Sequence, residues 1–127
     1  FIGGHSLALA ETRAQYLYTV DCAASFMKVA MILRGKRAVG ETFAGQLIEP
    51  GFIDHFEQMA EEVLDFLFVE SSFSEEAKPD LHIEMAAFTQ VFENGNPDTV
   101  RRVETLAFKN ANTCRDQFRE SGWFSDR

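Results

Sequence analysis

Apolar residues recur at steps of three and four along most of the chain, which is the spacing of one helix face and not the alternation of a strand. Ile53, Phe56, Ala60, Val63 and Leu67 make one such stripe, opened by Pro50 and Gly51 and closed near Ser71 and Ser72. Val100, Val103, Ala107, Ala111, Cys114 and Phe118 make a second, and Leu81, Met85, Phe88 and Phe92 a shorter third behind Pro79 and Asp80. The first helix has no single stripe. From Val20 to Leu33 it is apolar on nearly every side, which marks it as the most buried element. No strand-like alternation survives beyond about four residues.

The punctuation between stripes sets the helix ends. Asn94 and Gly95 suit a helix terminus, Asn96 an N-cap, Pro97 the first helical position, and Asp98 the positive end of the helix dipole. Gly35 is read as the stop of the first helix, and residues 34–50, with Gly35, Gly40, Gly45 and Pro50, as a long loop with room for a helical turn at Glu41 to Leu47. The pattern predicts an all-α fold of four helices at roughly 7–34, 51–70, 80–93 and 97–120, in one domain of residues 1–127. Short connections after the second and third helices favour an up-down antiparallel four-helix bundle, with the long loop between helices 1 and 2.

Composition changes the picture only at the level of partners. With 46% hydrophobic and 25% charged residues, the 127-residue chain reads as an ordinary globular protein. Its 20 acidic and 12 basic residues give a net charge of −8, which repels nucleic acid and anionic membrane surfaces and points to a basic protein partner. The Val20–Leu33 run falls short of the ~20 residues of a membrane-spanning helix, so no membrane span is expected. The chain begins at Phe1 and not at a methionine, as either a trimmed chain or a mature exported one would.

The two cysteines carry the strongest single expectation. Cys22 shares a stripe with Phe26, Val29 and Leu33, and Cys114 lies on the last helix's stripe, so both point inward. In an up-down bundle the first and last helices are adjacent and antiparallel. The cysteines then stand ~18 Å and ~24 Å from the same end, close enough for a disulfide. The bridge would contribute roughly 4 kcal/mol and would imply an oxidising compartment, periplasmic or secreted, where two buried free thiols would imply a cytoplasmic protein. A reactive thiolate needs a nearby cation, histidine or helix N-terminus, and Lys28 is the only basic residue close to Cys22 along the helix.

Other chemistry is sparse. His5, His55 and His82 fall on separate segments, no Glu-x-x-His or His-Glu-x-x-His pair is present, and the glycine spacing lacks a phosphate-loop lysine, so neither cofactor nor metal is expected. Asp54, Glu57, Glu61, Glu62 and Asp65 cluster on the second helix, where a solvated face is the commoner meaning than a paired-carboxylate site. A second apolar line on that helix, Phe52, Met59 and Phe66 continuing to Phe73, exceeds what a bundle core needs. With Glu62 it forms the candidate interface. These features predict a non-enzymatic binding protein, an inhibitor or immunity-like partner of a basic protein, with a homodimer as a further possibility. The alternative is a carrier holding an apolar small molecule between its helices.

Overall fold

A computed structural model describes residues 12–122. Its first helix, α1, spans Arg13–Ala38 and opens on a capping box in which the Thr12 hydroxyl accepts from the Gln15 amide and the Gln15 side chain accepts from the Thr12 amide. The expected start near Leu7 lies outside the described residues. Gly35 does not stop this helix. The stop is Gly40, whose φ of 76° admits the left-handed turn. There the Gly40 amide donates to the Arg37 carbonyl and the Glu41 amide to the Lys36 carbonyl, a complete Schellman closure.

No helical turn follows. Residues 39–49 instead make a tight turn in which Phe43 and Gln46 exchange both backbone hydrogen bonds, at 2.9 and 3.0 Å, around Ala44 and Gly45 at positive φ. Arg37 Nε donates to the Ile48 carbonyl at 3.2 Å and ties the connection back to α1.

The second helix, α2, spans Pro50–Asp65 and runs on into a π-helical turn, Phe66–Glu70, where the Ser71 amide donates to the Phe66 carbonyl five residues back. The third, α3, spans Ser74–Asn94 and begins six residues before its expected start. Pro79 lacks the amide that would reach Glu75, yet the helix passes through it. Buried Ala77, the Arg13–Glu76 ion pair (2.9 Å) and the Tyr16 hydroxyl donating to Asp80 (2.7 Å) hold this first part against α1. The fourth, α4, spans Pro97–Glu120 with Asn96 as N-cap, accepting from the Thr99 amide at 2.9 Å, as its punctuation predicts. Gly95 is required just before it, because a Cβ there would stand 2.6 Å from the Val91 carbonyl oxygen.

The described residues are thus all-α, with four α-helices and no named strand. α1 is central and packs against each of the other three, which is why it is apolar on every side. By length and composition alone α1 meets the requirement for a membrane span, which the Val20–Leu33 run by itself does not. In this fold 67% of its most apolar stretch is buried. Phe26 on α1 lies between Phe56 of α2 and Phe118 of α4, with ring centroids 6.5 and 6.4 Å away.

The contacts of α1 follow an order along each neighbour. Toward α4 they fall as α1 rises: Tyr18 to Gln117, Cys22 to Cys114, Lys36 to Glu104. Toward the connection and then α2, Arg37 reaches Ile48 and Arg34 pairs with Glu57. Toward α3 they rise together, from Arg13 and Glu76 through Tyr16 and Asp80 to Lys28 and Glu84.

Cys22 and Cys114 form a disulfide with Cα atoms 5.6 Å apart. Because α1 extends to Ala38, Cys22 stands about 16 residues from its end and Cys114 about 17 from the start of α4, so the two heights match to within about 2 Å. Both cysteines are buried.

Candidate binding groove

Most of the line expected to form an interface is buried. Met59 and Phe66 are 0% and 2% exposed and belong to the core, and Phe73 packs its ring on Tyr16 at 4.9 Å. Phe52 alone reaches the surface, and its ring rests on Phe56 (5.4 Å) and on Phe43 of the 39–49 connection (6.1 Å). Glu62 is half-buried beside exposed Glu61. The reason lies in what surrounds α2. One side faces α1, and the π-turn that prolongs it packs on α3 as well, so its apolar arc is covered more widely than by one neighbour.

The other expected features scatter. His55 is half-buried against the Phe56 ring, His82 is exposed on α3, and His5 lies outside the described residues. Asp54, Glu61 and Asp65 are exposed, while Glu57 pairs with Arg34. Among the described residues no group of three His, Cys, Asp or Glu side chains is placed to hold a metal ion.

An accessible apolar site is found instead between α3 and α4. Ile83, Ala87, Phe88 and Val91 on α3 face Val103, Leu106 and Ala107 on α4 across a groove of about 370 Å³. Phe88 and Ala107 are buried and form its floor, whereas Ile83 and Leu106 are 66% and 56% exposed on its rims. The groove exists because α3 and α4 make little contact with each other; α4 is held mainly by α1, and α3 by α1 and the π-turn. The inward stripe of α4 accordingly splits: Ala107, Ala111, Cys114 and Phe118 are buried, but Val100 and Val103 only partly.

Lys28 and Glu84 line the groove where α1 shows between the two outer helices. Lys28 Nζ stands 3.3 Å from Glu84 Oε1 and 5.7 Å from the centroid of Phe88. Burial pushes the Glu84 carboxyl above its ordinary range; Lys28 opposes that shift and Asp21 adds to it. At the bundle end below, Tyr16 is held in its neutral form by burial first and by its bond to Asp80 second.

Leu106 belongs to two surfaces. On one side it is the groove's rim, and on the other it sits among Arg101, Arg102 and Lys109 on a shallow outer face of α4. Arg101 pairs with Asp98 at 3.2 Å, while neither Arg102 nor Lys109 has an ion-pair partner among the described residues. One rim of an apolar groove is therefore basic in a chain whose net charge is −8.

A signal for the groove was present in the sequence. Ile83 and Leu106 are apolar residues lying off the inward stripes of their helices. The phenylalanines of α2 give the stronger apolar signal, and large aromatic side chains are the ones a core accommodates most readily. The chain matches no protein-family model, and comparison with curated proteins and with solved structures finds no match.

Proposed function

We propose that this is an exported, non-enzymatic binding protein that holds a segment of another protein against the α3–α4 groove, in the manner of an inhibitor or immunity-type partner. The observation that carries the reading is the pair of exposed apolar rims, Ile83 and Leu106, facing each other over a floor of Phe88 and Ala107. Apolar rims of this kind mark binding grooves. What the site offers is contact area and a fixed ion pair, which are means of holding a partner.

The reading treats residues 1–127 as one domain, an up-down antiparallel bundle with a long connection between α1 and α2, and α1 as its core helix and not as an anchor. The opposed contacts of α1 with α2 and α4, and its parallel ones with α3, support that arrangement. The disulfide fits an oxidising compartment, and we place the protein in the periplasm or outside the cell. The carrier alternative draws less support, because the surplus side chains that suggested it, Met59 and Phe66, are part of the core.

A photo-reactive amino acid at position 106, in cells that make the protein, tests the reading. It should give a discrete protein adduct that Ile83→Asp removes. Identical adducts from a probe at exposed Glu61, or none at 106, would refute it.

A further inference from the structure

The chemistry of the groove narrows what kind of protein segment it takes; this step rests on the binding reading above. We infer that the occupant is an acidic amphipathic α-helix of a partner protein, its apolar side chains in the groove and its carboxylates against Arg101, Arg102 and Lys109.

The groove has the length of a short helix. From Ile83 to Val91 the groove follows α3 for eight residue steps, about 12 Å, and a helix presents apolar anchors at i, i+3 or i+4, and i+7 over about 10.5 Å. The groove is thus two helical turns long. Its second property is that it is open along its length with exposed Ile83 and Leu106 at its edges, which suits a rod laid into it more than a small molecule enclosed by it.

Charge decides the sign. On the α4 side stand Arg102 and Lys109, neither with an ion-pair partner among the described residues, and Arg101 shared with an exposed aspartate. On the α3 side the exposed positions from 82 to 90 are His82, Ile83, Ala86, Ala87 and Gln90, with no carboxylate among them. The one carboxylate between them in sequence, Glu84, is half-buried and held by Lys28. An acidic helix meets attraction on one rim and, along 82–90 of the other, no exposed carboxylate, Glu93 lying beyond the groove's end at Val91, and the small Ala86 and Ala87 let its backbone come close.

This reverses the expectation of a basic partner drawn from the net charge. The exposed carboxylates of α2, Asp54, Glu61 and Asp65, belong to another helix, at least one interhelix spacing of about 8–10 Å away. That is a full Debye length in physiological salt, so the local rim outweighs the distant charge.

The test is a displayed library of helical peptides of about 14 residues, four turns, selected on the intact oxidised protein and counter-selected against Leu106→Asp. Enriched peptides should carry apolar residues at the i, i+3 or i+4, i+7 spacing and a net negative charge. A selected peptide should bind about tenfold more weakly to the double variant Arg102→Glu, Lys109→Glu, with the gap narrowing as salt rises from about 0.05 to about 0.5 M. Circular dichroism of Leu106→Asp, with Ile83→Asp as a second counter-selection target, guards against loss of fold. Enrichment of basic or uncharged peptides, no enrichment over the counter-selected variants, or indifference to the charge reversals would each overturn the inference. So would self-association abolished by Leu106→Asp, which makes the occupant a second copy, or uptake of decanoate with no peptide enriched, which makes it an anionic lipid. A cross-link at position 106 that persists while the library yields no acidic peptide leaves the binding reading standing and removes only this step.

Discussion

α1 and α3 are helices of similar length built for opposite purposes. α1 buries twelve of its 26 residues, in every direction, while α3 buries three of its 21, Ala77, Leu81 and Phe88. α1 is joined to its neighbours by the disulfide, by the Phe56–Phe26–Phe118 row and by ion pairs along its length. α3 is tied down at its first turns by Tyr16 and Arg13 and near its middle by Lys28, and beyond those contacts it leaves apolar surface uncovered. The lesson is that stability and accessibility are allotted to different helices. The covalently stapled centre tolerates an outer helix that is only partly packed, and only such a helix can leave a groove open.

The largest effect is expected at α1. Replacing Cys22 and Cys114 by alanine should lower stability by roughly 4–5 kcal/mol, since the bridge closes a loop with a sequence separation of 92. Chemical denaturation of oxidised and double-alanine protein measures this, and thiol titration of the denatured, unreduced protein should find no free thiol. Next come two buried phenylalanines of the two regions. Phe26→Ala should cost roughly 3–5 kcal/mol, whereas Phe88→Ala should cost at least about 1 kcal/mol less, because the space it leaves opens onto the groove and can relax or fill with water. Equal losses in denaturation would show that α3 is as firmly packed as α1.

A smaller effect concerns Glu84. Its carboxyl is raised above 4.5, so the folded state binds its proton more readily than the unfolded state does. The stability this gives is present at low pH and is lost as pH rises through the folded value. The denaturation midpoint of wild type relative to Glu84→Gln should therefore improve as pH falls from 7 toward 4.5. The opposite slope would mean that the bond to Lys28 outweighs burial. The smallest effect is expected at the rims, where Ile83→Asp and Leu106→Asp should each change stability by no more than about 0.5 kcal/mol while abolishing partner binding.

The fold class was legible because the stripes of α2 and α4 report burial directly; Phe56, Val63, Ala107 and Ala111 are all in the core. The disulfide was legible for the same reason, as two inward positions at compatible heights. Helix ends were less so. Gly35 and Gly40 are the same residue type, and which one stops α1 depends on which takes positive φ and whether Lys36 and Arg37 find partners beyond it. Pro79 looks like a boundary from sequence, yet tertiary contacts at Ala77 and Asp80 carry the helix across it. The groove was hardest, because it is defined by contact that α3 and α4 fail to make. No periodicity in one helix reports the spacing between two.

The position of the disulfide also governs how the molecule would answer a mechanical load. A pull applied between residue 12 and residue 122 passes along α1 as far as Cys22, crosses the sulfur bridge to Cys114, and leaves along the end of α4. Residues 23–113, which include both walls of the groove, lie inside the closed loop and bear none of the tension. A partner seated in the groove would stay seated while the chain ends are strained, until the bridge is reduced.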